Sequence, residues 1–262
     1  MSQNNLNIIT KIEKEHKLKN GVLIQCFPGQ GLVGRIAGMQ LIEYFNAKED
    51  AKIYSSHFPH LVIFNGNLGK LVHGELWVIE STTPPIVVLT GESQPQEGPQ
   101  GMFEVLITAL DIAINWGVTK VVAIGGFRPA DIEKTAEVTG FAYSEKDTKT
   151  LKQNKIDLFT EGRVSGAVGV LTALAAERGL ESFGIMGKVR PSEQAPAAFG
   201  VDPIASKNVL KALKDLLGFD MDLTKMDEMI SEIEESEANA MKAIEDLNRT
   251  QGQRSDRRNY YL

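Results

Sequence analysis

The chain has 262 residues, of which 42% are hydrophobic and 24% charged, a composition that suits one large α/β domain with an appendage. Its formal net charge of −6 lacks the basic excess of a nucleic-acid binder, and its single cysteine excludes a disulfide framework or a cysteine-cluster zinc site. No apolar run approaches the roughly 18–20 residues that span a bilayer, and the first residues have no signal-peptide pattern. We therefore expect a cytoplasmic protein whose partners include neither nucleic acid nor membrane.

Strand and helix patterns alternate through the body of the chain. Apolar runs predict strands at 21–27, 52–57, 61–65, 68–79, 86–90, 120–124, 139–144 and 181–187. Helical spacing predicts helices at 35–45, 102–116, 166–176 and 206–217, the last ended by Gly218. Asn65-Gly66-Asn67 predicts a tight turn between two strands. The predicted fold class is α/β, with a mixed central sheet flanked by helices.

Charge divides the chain into three segments. Residues 220–248 hold ten acidic residues and two lysines, whereas 249–262 hold four arginines and one aspartate. We therefore expect an α/β domain at 1–219, an acidic helical extension at 220–248 and a flexible basic tail at 249–262.

The loops that follow predicted strands are expected to lie at one edge of the sheet, where open α/β sheets bind ligands. These loops are 28–34, 91–101, 125–130 and 188–203. Gly29, Gly31 and Gly34 form a GxGxxG motif between a strand and a helix, the spacing of a dinucleotide-binding fingerprint. The fingerprint also needs an acidic residue at the end of the next strand, and the sequence there, 54–57, has none. Close packing of helix on strand is the favoured explanation of these glycines. A ligand rim that also includes Glu92 and Arg128 is the alternative.

Reactive residues form no catalytic pattern. His57 and His60 are the only close pair of histidines, and they are favoured as ordinary polar residues of a turn rather than metal ligands. Ser165 has no GxSxG around it and suits a helix N-cap better than a nucleophile. The sequence therefore predicts no catalytic residue, no metal site and no cofactor, and we expect the protein not to be an enzyme.

Apolar residues in the acidic extension recur at steps of three and four, which predicts an amphipathic helix. These seam positions are Leu223, Met226, Ile230, Ile233, Ala240, Ile244 and Leu247, and Glu237 occupies one further seam position. Two interpretations remain open. The helix folds back onto its own domain, or it pairs with a helix of a partner chain or a second helix of its own.

The last three residues, Tyr260, Tyr261 and Leu262, follow a stretch at 248–259 that has no apolar residue and is expected to be flexible. Two solvated aromatic rings there would leave about 150–250 Å² each unburied. This pattern favours capture of the chain end by a pocket of another protein.

Three loops carry a resemblance to a known family. The motif 29–34 leading into a helix, the loop 90–95 (TGESQP) and residues 124–127 (IGGF) resemble the proteasome assembly chaperone family, above all its archaeal members. The resemblance covers roughly residues 20–217. The ending is similar to the hydrophobic–tyrosine–any (HbYX) ending of proteasome activators, with Tyr260 in the hydrophobic position, Tyr261 as the penultimate tyrosine and Leu262 supplying the carboxylate.

The resemblance implies a phosphorylase/hydrolase-like α/β fold without catalysis, in a homo-oligomer that binds the proteasome core particle. It implies that the tails dock in pockets between α-subunits, where a lysine would meet the Leu262 carboxylate. The alternative function is a nucleotide- or small-carboxylate-binding enzyme that uses the glycine-rich loops. Subunit number, and whether the tail opens the proteasome gate or only guides assembly, are left open by the sequence.

Overall fold

A computed structural model describes residues 8–96, 98–129, 137–190 and 200–236, together with residues 238, 239 and 242. Several predicted site residues lie outside these ranges. They are Ala240, Ile244, Leu247, Tyr260, Tyr261 and Leu262.

Eleven strands occur in the described residues. They are β1 (Ile8–Ile12), β2 (Gly21–Gln25), β3 (Lys48–Ser55), β4 (Val62–Asn65), β5 (Leu68–Leu71), β6 (Gly74–Ile79), β7 (Ile86–Gly91), β8 (Val118–Phe127), β9 (Val138–Ala142), β10 (Asp157–Leu158) and β11 (Glu181–Lys188). Nine of them form one sheet in the order β1-β3-β6-β7-β2-β8-β11-β9-β10, and β4 pairs with β5 in a separate hairpin.

The centre of the sheet is parallel and its flanks are mainly antiparallel. Strands β7, β2, β8 and β11 run parallel to one another, so their carboxyl ends meet at one edge. Strands β6, β3 and β1 continue the sheet antiparallel on one side, and β9 lies antiparallel to β11 on the other. All five residues of β2 are buried, as expected of a parallel strand that is covered on both faces.

Helices cover both faces of the sheet. Their bounds are α1 (Val33–Tyr44), α2 (Gly98–Asn115), α3 (Glu145–Gln153), α4 (Gly166–Glu177) and α5 (Pro203–Leu217), followed by α6 at residues 224–236. One core cluster joins α1 and α5 to the sheet, and a second joins α2 and α4 to the opposite face. The predicted α/β class with a mixed sheet flanked by helices is therefore confirmed. Among the described residues, no helix is both long and apolar enough to cross a bilayer.

Helix α5 has the cap residues that its sequence favours. Asp202 is the N-cap, and its Oδ1 accepts a hydrogen bond from the backbone N–H of Ala205 at 2.9 Å. Gly218 takes a left-handed conformation with φ 74°, which glycine adopts without steric cost. The predicted end of this helix at Gly218 is confirmed.

Among the predicted boundaries that are wrong, two concern how the strands are divided between the sheets and loops. The single strand predicted at 68–79 is divided at Val72 and His73, so that β5 belongs to the hairpin and β6 to the main sheet. Residues 125–127, predicted as the start of a glycine-rich loop, continue β8 and pair with β11. Glycine suits both strand positions because close neighbours fill the space where side chains would lie, including the Gln30 carbonyl oxygen, 2.2 Å from a Cβ built at Gly126.

Three elements have no counterpart among the sequence predictions. Strand β1 is an edge strand with four exposed residues, and α3 is polar, with Leu151 its only buried apolar side chain. Strand β10 has only two residues. None of these segments has a strong apolar period, so their structure depends on neighbours that are distant in the sequence.

The first turn of α6 lies on the chain's own domain. Met226 is fully buried in the core cluster of α1 and α5, and Leu223 packs against the same cluster. Lys225 pairs with Glu43 of α1 at 2.6 Å, and Asp227 pairs with a lysine of α5. Farther along, Ile230 and Ile233 are partly exposed. The start of the predicted seam is therefore an intramolecular contact.

Candidate functional site

Two loops form an open depression of about 520 Å³ at the carboxyl edge of the sheet. Pro28, Gly29 and Leu32 line it after β2, residues 92–96 line it after β7, and Met102 of α2 closes one side. This is the edge where the sequence predicts a ligand rim, since the parallel strands β2 and β7 both end there.

Gln94 connects this loop to two other elements. Its Nε2 donates a hydrogen bond to the carbonyl of Pro28 at 2.7 Å, and its Oε1 accepts one from the backbone N–H of Ala167 at 3.0 Å. Ser165 occupies the N-cap position of α4, as predicted, but its side chain makes no capping hydrogen bond. The side-chain amide oxygen of Gln94, which comes from a loop distant in the sequence, therefore caps α4.

Arg35 provides the positive charge next to the depression. Its guanidinium donates to the carboxylate of Glu92 at 2.8 Å and to the hydroxyl of Thr90 at 3.1 Å. The Thr90 hydroxyl in turn donates to the carbonyl of Cys26 at 2.9 Å. Glu92 is thus held by a cation that the sequence analysis did not single out.

The three motif glycines have different surroundings. Gly29 is extended and lines the depression, and a Cβ there would meet only Gln94 Nε2 at 3.6 Å. Gly31 has φ 63°, and its Cβ would lie 3.0 Å from Val189 Cγ2. At Gly34 the Cβ would lie 2.7 Å from the carbonyl oxygen of Ile124. The last two glycines therefore face the chain's own atoms, which supports the packing explanation of the motif over the nucleotide explanation.

The predicted rim residues come together only in part. Gly29 and Glu92 line the same depression, whereas Gly31 and Gly34 pack against β8 and the segments that follow β11 and precede α5. Arg128 follows β8, is exposed, and does not line the depression. Asp202 ties Gly31 to α5, because its backbone N–H donates to the Gly31 carbonyl at 2.7 Å. Sequence spacing contained no signal for this contact.

A second polar cluster lies between β3 and β6. Ligand-type atoms of Glu49, His73 and Glu75 lie within 4.8 Å of one another. However, Lys70 Nζ is 2.5 Å from Glu75 Oε1, and Lys52 Nζ is 3.3 Å from Glu49 Oε2. Lysine ammonium groups already balance both carboxylates, so the cluster is an ion-pair network rather than a site suited to a further cation.

The ion-pair network also lowers the pKa of one of its carboxyl groups, that of Glu49. Burial raises the pKa of Glu49, but the hydrogen bond from His73 Nε2 at 2.9 Å and the positive charges of Lys70 and Lys52 outweigh that effect. The pKa of Glu49 therefore lies below its usual range.

The family relationship follows from comparison with known proteins. Residues 23–241 match the model of the PAC2 family. The chain belongs to the PAC2 family. Two relatives come from Methanocaldococcus jannaschii, both uncharacterised. MJ1210 is 27% identical over 251 residues, covering 92% of this chain and 93% of that protein, and MJ0106 is 24% identical over 230 residues, covering 80% and 81%.

Solved structures of PAC2-like proteins have the same fold. Pyrococcus furiosus PbaB, an archaeal proteasome activator, superimposes with a TM-score of 0.77 at 25% identity, covering 90% of this chain and 99% of that one. Pyrococcus furiosus PbaA, an archaeal homolog of proteasome-assembly chaperone, gives a TM-score of 0.69 at 20% identity, covering 92% and 99%. The family resemblance drawn from three loops is confirmed. The HbYX-like ending lies outside the described residues and stays a prediction.

Proposed function

We propose that this PAC2 family member is a proteasome assembly chaperone or adaptor that binds the proteasome core particle without catalysing a reaction. The observation that carries the proposal is the likeness to PbaB, an archaeal proteasome activator, over 90% of this chain at 25% identity. The chemistry of the tail supports it independently, because 248–259 has no apolar residue and two tyrosines follow it.

In the proposed contact, the last three residues insert into a pocket of the core particle. The ring of Tyr261 packs on the wall of a pocket between two α-subunits, and the Leu262 carboxylate pairs with a lysine of that pocket. Tyr260 takes the hydrophobic position of the HbYX pattern. The arginines of the tether steer the tail toward an acidic surface and raise the rate of association.

A single tail of this kind is expected to bind weakly, because only three residues make the proposed contact and docking fixes their conformation. Several tails on one assembly gain effective concentration, which raises the overall affinity on the order of 10²–10⁴-fold. The proposed function therefore requires a homo-oligomer.

The depression after β2 and β7 supports a second candidate, the binding of a small anionic ligand. The nearby cation Arg35 is bound to Glu92, and Gly31 and Gly34 pack against the chain itself, so we rank this candidate second. A thermal-shift screen of nucleotides and small carboxylates separates the two. A ligand that raises the melting temperature of the tail-deleted protein supports the second candidate.

The test of the first candidate is a binding assay with purified core particle. The full chain, a chain without residues 260–262, and Tyr261→Ala are compared, with Asn259→Ala as the adjacent control. We expect the deletion to abolish co-elution and Tyr261→Ala to weaken binding at least about tenfold, a loss typical of a buried aromatic anchor. Asn259→Ala should bind like the wild type. Equal binding by the deleted chain, with its oligomer intact, would contradict the proposal.

A further inference from the structure

The hairpin of β4 and β5 stands apart from the main sheet. Its strands pair only with each other among the described residues, with Val62 opposite Leu71 and Phe64 opposite Gly69. Every residue of both strands is exposed. Residues 61–71 are called the apolar hairpin below.

Large hydrophobic side chains are concentrated here rather than scattered. Among the described residues, eleven large hydrophobic side chains are exposed, and six of them belong to the apolar hairpin. They are Leu61, Val62, Ile63, Phe64, Leu68 and Leu71, with Phe64 69% and Leu68 79% exposed. A contiguous patch of this kind marks an interaction surface, whereas single exposed hydrophobic residues are ordinary.

The exposed apolar side chains of the hairpin favour burial by another surface, and contacts at its base hold the hairpin in a defined position. A two-stranded hairpin by itself is marginally stable in water at best. Contacts at its base hold it in place: Lys70 pairs with the buried Glu75 of β6, and His73 Nδ1 lies 2.7 Å from the Leu71 carbonyl. The apolar side chains are therefore presented outward in a fixed orientation, which lowers the entropy cost of association.

We propose that the apolar hairpin is the surface through which two copies of this chain associate about a two-fold axis. The inference rests on the proposed function in one respect, since association supplies the several tails that core-particle binding requires. The start of α6 packs on its own domain, so the hairpin is the larger free apolar surface in the part of the chain that the structure describes.

The exposed area matches what such an interface needs. Taking about 200 Å² for a fully exposed large hydrophobic residue, the middle of the range for aromatic side chains, the exposed fractions of these six residues leave roughly 600–700 Å² per copy, divided between the two faces of the hairpin. A two-fold arrangement in which each hairpin is covered on both faces by the other copy buries this area twice, roughly 1,300 Å² in total, within the range of about 1,200–2,000 Å² for specific interfaces. If the hairpin instead packed on a polar surface of another protein, the apolar area of only one hairpin would be buried.

The charge distribution also favours a second copy. Directly paired residues of a hairpin share a face, so Val62, Phe64, Gly69 and Leu71 form one face without an ionisable side chain. Ile63 and Leu68 lie on the opposite face with Lys70. A Cβ at Gly69 would lie 3.2 Å from Phe64 Cε1, so the phenyl ring lies across the glycine. Only groups close to a two-fold axis face their own copies, and an unpaired charge there would be repelled by its copy. Lys70 points to the other face, where it pairs with Glu75.

A cross-linking experiment tests the identity of the partner. The chain has one cysteine, Cys26, which is fully buried, and burial raises the pKa of its thiol. Leu68→Cys in the full chain therefore adds a single reactive thiol. We expect a short bifunctional maleimide to join two such chains into a covalent dimer. The control Phe103→Cys, on a 45% exposed residue of α2, should give none. Equal dimer from both variants, or no dimer from Leu68→Cys even with maleimide linkers long enough to span the interface, would overturn the proposal.

Sedimentation of the full chain provides the second test. We expect the wild type to associate at micromolar concentration and Phe64→Glu to raise the dissociation constant at least about 100-fold, because each interface receives the charge twice. Phe103→Glu should sediment like the wild type. A wild type that is monomeric throughout overturns the proposal. In that case, loss of core-particle binding by Phe64→Glu would assign the hairpin to the proteasome, and its retention would indicate cover by this chain's own segments.

The two proposals fail separately. Deleting residues 260–262 should leave the hairpin dimer intact while removing core-particle binding. Phe64→Glu should dissociate the copies but keep single-tail docking, with the affinity gain of multiple tails lost. Dimers that survive the tail deletion support the hairpin interface whether or not the tail docks.

Discussion

Helix α1 lies against backbone atoms of the sheet at Gly34, and this contact allows a quantitative prediction. In Gly34→Ala the new Cβ would lie 2.7 Å from the Ile124 oxygen and 2.9 Å from the Phe27 oxygen. Both atoms are backbone and cannot rotate away, so the helix itself must shift. Such overpacking costs about 1–3 kcal/mol, and alanine in a helix recovers about 0.5–1 kcal/mol relative to glycine. The difference is centred on about 1 kcal/mol, so we expect a net loss of that order in the free energy of unfolding.

Urea denaturation followed by circular dichroism measures this loss, with an unchanged slope as the sign that the transition remains two-state. The matched control is Gly29→Ala in the same motif, where the backbone is extended and the nearest atom to the new Cβ is 3.6 Å away. Gly29→Ala should stay within about 0.5 kcal/mol of the wild type. Equal stability of the two variants would refute the packing explanation of GxGxxG.

Two further predictions concern the ion-pair network and α6. The pKa of Glu49 lies below its usual range, so its contribution is complete above the unfolded carboxyl pKa of about 4.3 and is lost as pH falls through the folded value. Glu49→Gln should flatten the acid side of a plot of stability against pH, and an unchanged profile would be evidence against the network. Met226→Ala should cost about 2–5 kcal/mol and speed amide exchange in residues 224–236, unlike the exposed control Glu232→Ala. Wild-type exchange in Met226→Ala would show that α6 is held by other contacts.

The contacts of the motif glycines show why their spacing alone did not distinguish close packing from nucleotide binding. GxGxxG is the same sequence pattern whether a phosphate or a neighbouring segment fills the space beside the glycines. At Gly31 that neighbour is Val189, more than 150 positions away in the sequence, and at Gly34 it is the backbone of β8. The missing acidic residue after β3 favoured packing, but only the contacts identify the atoms involved.

The sequence by itself determined that the strands at 21–27 and 86–90 are buried on both faces, because such strands need continuous apolar runs. It also determined the end of α5, since a left-handed residue there favours glycine. Both properties depend on a residue's own conformational preferences and immediate neighbours.

Only the tertiary structure decided which sheet a strand joins and which side chains contact one another. Residues 68–79 look like one strand in the sequence, yet they divide between an outlying hairpin and the main sheet, because pairing partners choose the sheet. The exposure of Phe64, the Gln94 cap on α4 and the Arg35–Glu92 pair likewise arise between segments far apart in the chain. Hydrophobic periodicity indicates that a side chain prefers burial, but it does not indicate which surface of the folded chain or of a partner covers that side chain.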